Sequence, residues 1–215
     1  MIGNFQDRLM QHLLAVCRDA GYLDGVLLTS PDIDAAWERL APDYFGDAVK
    51  EFNGYPEYTL ACAGFLGMAA AHLWDSDLER FQRCAYADFL GPRGFDDMDD
   101  FITGTILSDP QPAANAPAAG AAASAGAAGA APASLPGDAG VVAAASLPGV
   151  AAMQTCAGEA YHFLMRENVE PGTADAYRQF VVSAEAMFRL GAAIELRRLG
   201  YTLVPLQPSA PSLPS

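Results

Sequence analysis

Lysine is nearly missing from this chain: Lys50 is the only one, against eleven arginines. Nowhere do the bases cluster, so nothing in the sequence could release counterions from a nucleic acid, and a phosphate backbone is excluded as a partner. An anionic membrane surface is disfavoured for the same reason. The four cysteines, Cys17, Cys62, Cys84 and Cys156, show no CxxC spacing and sit among apolar residues. That placement predicts buried reduced thiols, with no disulfide and no zinc site. Also missing are GxSxG, GxGxxG and the P-loop, which removes the common nucleophile and nucleotide signatures. Asp7 and Arg8 stand where a secretory signal would have its apolar centre, so a reducing, cytoplasmic location is expected.

What is present is acid. The 215 residues hold 26 Asp and Glu against 12 Lys and Arg, a net charge of −14. Residues 1–109 carry 19 acids and 7 bases, whereas residues 150–215 carry 6 and 5 and are close to neutral. Such a surface favours solubility and a basic partner, although a merely solvated acidic face is the simpler reading.

Residues 110–149 contain 18 Ala, 6 Gly and 6 Pro among forty positions, with Asp138 the only charge. Their longest run free of Gly and Pro, Val141 to Leu147, is too short for an isolated helix, which needs roughly 12–15 residues. The segment reads as a flexible linker. It separates an N-terminal helical segment, 1–109, from a helical hairpin, 150–204, and a disordered Pro/Ser tail, 205–215. The expected fold is all-α: a compact bundle of six or seven helices, five of them N-terminal.

Local signals set the elements. Residues 5–20 have helical period, with Leu9, Leu13, Val16 and Ala20 on one face and Gly21 as the stop. Ser30-Pro31 starts the next helix, which turns Ile33, Trp37 and Leu40 inward. Pro42 is expected to force a new start, giving a separate helix over 43–53. Residues 56–74 hold one charge, Glu57, and are rich in Ala and Gly. With His72 inside, this reads as a central helix surrounded on all sides rather than a membrane span. Ala61, Gly64, Gly67 and Ala71 would let neighbouring helices come close. Asp75 or Ser76 should cap a following helix to about residue 90, and 95–108 should form the last N-terminal helix. In the hairpin, helices over 150–168 and 173–199 flank Pro171-Gly172, with Thr173 as cap. The second carries Tyr177, Phe180, Val181, Ala184, Met187, Phe188, Gly191 and Ile194 along one stripe, and Glu185 pairs with Arg189. Two helices bury too little surface to stand alone. The hairpin should therefore return onto its own chain, or onto a second copy as a domain-swapped dimer.

Four constellations could carry chemistry. Asp96, Asp97 and Asp100 form a DDxxD pattern like the magnesium motif of terpene synthases, but acids in a first helical turn also serve the helix dipole. Glu159 and His162 have the i,i+3 spacing of half a di-iron site, and the pattern occurs once. His12, His72 and His162 fall on three helices and could form an open metal site, or could each be a hydrogen-bonded helix residue. Tyr55, Glu57, His72, Trp74 and Asp75 bracket the apolar helix with polar aromatics and acids. They either mark a pocket mouth or close the helix ends with satisfied polar groups.

The strings Phe52-Asn53-Gly54-Tyr55-Pro56-Glu57, Gly64 through Asp75, Arg93 through Asp99 and Arg189 through Tyr201 resemble an uncharacterised helical family from bacteria such as Bacteroides. That resemblance implies a helical fold and no activity, with the Ala/Gly/Pro tether as an insertion, and no site residue follows from it. The functional expectation is a non-enzymatic adaptor that offers its acidic N-terminal face to a protein partner, without a cofactor. The alternative is a small metal-dependent enzyme using His12, His72, His162 and Glu159.

Overall fold

The computed structural model describes residues 2–24, 30–52, 56–89 and 148–202. Among them are five α-helices, one 3-10 turn and no strand: α1 (Ile2–Asp19), α2 (Pro31–Phe52), α3 (Pro56–Phe81), the turn Tyr86–Asp88, α4 (Pro148–Arg166) and α5 (Ala174–Arg198). The expected all-α bundle is what forms. Tyr55, the run Asp96–Asp100, the helix expected over 95–108, the expected linker up to residue 147 and the tail from 205 lie outside the described residues, while Pro148 and Gly149, expected in the linker, already belong to α4.

Helix α3 is the axis. Thirteen consecutive residues, Thr59 to Ala71, are buried, so every face of those turns meets protein. It packs most extensively on α5, then on α4 and α2, and α1 closes the assembly against α4 and α5. The closest approach is set by glycines. A Cβ on Gly191 would overlap the Gly64 carbonyl oxygen, and one on Gly67 would overlap the Phe188 carbonyl. Gly64 itself faces Met153 of α4. The Ala/Gly character of α3 thus lets two helices of the hairpin lie against its backbone, and ridge-into-groove packing with ordinary side chains would hold them further off.

The other helices follow their sequence signals, with local departures. On α1 the buried stripe is Phe5, Leu9, Leu13 and Cys17, whereas Val16 is half-buried and Ala20 exposed. Gly21 has φ +76°, as its role at the helix end requires. The Ser30 hydroxyl accepts from Ile33 N at 3.1 Å. Contrary to expectation, α2 runs unbroken through Pro42. Proline in a helix interior costs about 3 kcal/mol by removing one hydrogen bond and crowding the carbonyl four residues back. Here Glu38 and Pro42 both face solvent, which can take up that carbonyl, while Trp37, Leu40, Tyr44 and Ala48 bury both halves.

The break near the end of α3 falls at Asp77, which is extended (φ −163°, ψ 91°), rather than at Asp75 or Ser76. Asp77 Oδ1 accepts from Arg80 N at 3.0 Å and caps one last turn that stops at Phe81, nine residues short of the expected end. The chain leaves it under a clamp: Arg39 of α2 donates to the carbonyls of Gln82 (2.7 Å) and Cys84 (2.9 Å).

In the hairpin, Thr173 caps α5 by accepting from Ala176 N at 3.2 Å. Thr173→Ala should therefore cost about 1 kcal/mol in urea unfolding, the usual worth of such a cap. An unchanged midpoint would show that packing alone holds this end. Glu185 and Arg189 pair as expected, and Arg189 also reaches Asp34 of α2 at 3.1 Å. Tyr177, expected in the inward stripe, is exposed: it lies one turn before Phe180, where α5 projects beyond the core. No helix among the described residues is long and apolar enough to cross a membrane.

Candidate functional site

The chemistry-bearing side chains collect along two seams where the hairpin meets the N-terminal helices. The first joins the C-terminal turns of α3 and α5. Glu195 is completely buried, and Arg198, one turn on, grips it with both arms of its guanidinium: Nε to Oε2 at 2.8 Å and an NH2 to Oε1 at 2.6 Å. His72 of α3 adds a bond from Nδ1 to Oε1 at 3.0 Å. An ionised carboxylate can only accept, so Nδ1 carries the proton. Burial by itself would raise the carboxyl's pKa, but the bonds from Arg198 and His72 outweigh it and hold the group below its ordinary range. Beside this triad the Tyr201 hydroxyl donates to Asp75 at 2.8 Å, and this bond raises the phenol's pKa.

The second seam joins α1 to α4, which run antiparallel. Arg8 meets Glu167 (2.8 Å), His12 meets Glu159 (2.7 Å), and the Cys17 and Cys156 sulfurs lie 3.4 Å apart. Ascending positions on α1 meet descending positions on α4 and the residue after it, as antiparallel neighbours require. Phe163 fills the space between the pairs, with its ring 5.6 Å from the Arg8 guanidinium and from the His12 ring. All four cysteines are buried free thiols, as their apolar settings predict.

The candidate residues are thus distributed rather than gathered. His12 and Glu159 touch, His72 is committed to Glu195, and His162 is exposed beside Tyr161. Among the described residues no three of His, Cys, Asp and Glu stand where they could share a metal ion. Glu57, with its carboxylate against Gly158 of α4, is about 22 Å along the helix from His72, taking 1.5 Å per residue, so the two ends of α3 cannot line one pocket. Trp74 departs from the expectation of satisfied polar groups, since its indole Nε1 is buried without a partner among the described residues.

Sequence reading missed Glu195 as a site residue, although a lone carboxylate inside the apolar run from Gly191 to Leu196, with an arginine three residues on, is a usable signal. The meeting of Cys17 with Cys156 left no comparable trace.

Across the described residues, exposed acid is concentrated in the N-terminal segment. Over the described residues up to 89, the exposed acids are Asp7, Asp19, Asp24, Asp32, Glu38, Asp43, Glu57, Asp75, Asp77, Glu79 and Asp88, against exposed Arg8, Arg18, Arg80 and Arg83. In the hairpin Glu170 and Asp175 balance Arg166 and Arg178. Three of the acids, Asp75, Asp77 and Glu79, stand within three residues of Leu78, which is half exposed, and Asp75 accepts from the hydroxyl of Tyr201, also half exposed.

No family model matches this sequence, and comparisons with curated proteins and with solved structures find no similar chain.

Proposed function

We propose that this protein is a non-enzymatic interaction module that presents the acidic face of its N-terminal helices to a basic protein segment. The observation that carries this reading is the surplus of exposed acid on the N-terminal segment. The histidines His12 and His72, with Glu159, Glu195 and Arg198, are engaged in ties within the bundle, whereas the described surface of the N-terminal segment exposes eleven acids against four bases. A surplus of that sign steers a cationic partner and repels anionic ones. The end of α3 is the best seat, because half-exposed Leu78 lies there close in sequence to Asp75, Asp77 and Glu79, and half-exposed Tyr201 is bonded to Asp75.

The test is binding of an Arg/Lys-rich amphipathic helical peptide, followed by fluorescence anisotropy. Between about 0.05 M and 0.5 M salt the affinity should fall at least ~10-fold, since exposed charges are screened over a few Å at the higher strength. The triple variant D75N/D77N/E79Q should lose a comparable factor at low salt. Binding indifferent to both salt and the triple substitution would sink the reading.

A further inference from the structure

We infer that Cys17 and Cys156 form a redox-modifiable pair, a site at which hydrogen peroxide converts two thiols into a disulfide that fastens α1 to α4. The sulfurs already touch at 3.4 Å across the α1–α4 seam, on residues 139 apart in the chain, and both side chains are fully buried. A disulfide needs about 2.05 Å, so the closure asked of them is ~1.3 Å, within reach of side-chain rotation between two packed helices.

Position favours the reaction at one of the two. Cys17 lies in the last turn of α1, followed by the Asp19–Gly21 helix end, where opening of a single turn exposes its sulfur to a small oxidant; Cys156 is in the middle of α4. The Cys156 thiol, by its hydrogen bond, also favours the thiolate at Cys17 over its own. The Cys17 thiolate attacks the peroxide O–O bond, forming sulfenic acid and expelling hydroxide, which takes a proton to become water. The Cys156 sulfur then attacks the Cys17 sulfur, loses its proton and displaces a second water. Two electrons pass from the thiols to peroxide. The other cysteines, Cys62 inside α3 and Cys84 after it, serve as internal controls, and burial pushes the Cys84 thiol up and away from reactivity.

The full chain is exposed to a small excess of hydrogen peroxide and followed by intact mass, peptide mapping and thermal unfolding. The expected result is a loss of about 2 Da, reversed by dithiothreitol, with the cross-link mapped to Cys17–Cys156. The melting temperature should rise by roughly 10 °C, because the link closes a long loop in the unfolded chain. Cys17→Ser should abolish the loss, and the C62A/C84A double variant should retain it. Four thiols still titrating after treatment, a cross-link to Cys62 or Cys84, or oxygen added to Cys17 without a cross-link would each overturn the inference.

Discussion

Gly191→Ala should destabilise the protein by about 3 kcal/mol in urea unfolding, although alanine is the better helix former by up to ~1 kcal/mol. The added methyl has nowhere to go. It would overlap the Gly64 carbonyl oxygen, and the obstacle is helix backbone rather than the tip of a movable side chain. Relief requires α5 to back away from α3, which loosens the most extensive helix contact among the described residues. Gly46→Ala is the control of opposite sign. It lies on the exposed side of α2 with nothing within 4 Å of a built Cβ. There the same substitution should stabilise by about 0.5–1 kcal/mol. If both variants shift in the same direction, close packing at the α3–α5 crossing is not what holds the hairpin in place.

Glu195→Gln should cost about 3 kcal/mol at neutral pH, because it keeps the volume but leaves the Arg198 guanidinium facing an uncharged partner inside the protein. The pH dependence is the sharper reading. Glu195's folded pKa is held below its ordinary value of 4.5 by Arg198 and His72, which together outweigh the effect of burial. Its contribution is therefore complete above that ordinary value and is lost as pH falls through the lower, folded one. The gap between wild type and variant should narrow as pH falls below about pH 4. A gap that persists unchanged into that acid range would mean the glutamine is simply misfitted, with no charge linkage at position 195.

Much of the bundle could be read in advance because its signals are local. Ser30, Thr173 and Gly21 act on their own helix ends, where a hydroxyl or a positive φ meets groups only a few residues away. Pro42, expected to start a new helix, misled for a related reason. Whether a proline breaks a helix depends on what faces the carbonyl it disrupts and on how firmly both halves are buried, and neither is written within four residues of it. The histidines show the same limit more severely. Their spacing was plain in the sequence, but a side chain's neighbours across a helix interface depend on the rotation of both helices, so His12 finding Glu159 and His72 finding Glu195 could not be ordered in advance.

By itself the sequence determined that this chain is helical, that its cysteines lie in apolar surroundings, that acid is concentrated before residue 110, and that the Ala/Gly stretch from Pro56 to Trp74 belongs at the centre. These follow from periodicity, composition and charge, which are properties of a chain before it packs. Only the tertiary structure decided which backbone Gly191 would meet, that Glu195 would be buried under Arg198, and that Cys17 and Cys156 would touch. Each of those is a contact between residues far apart in the chain, set by how three or more helices share one interior, and no local preference encodes such a meeting.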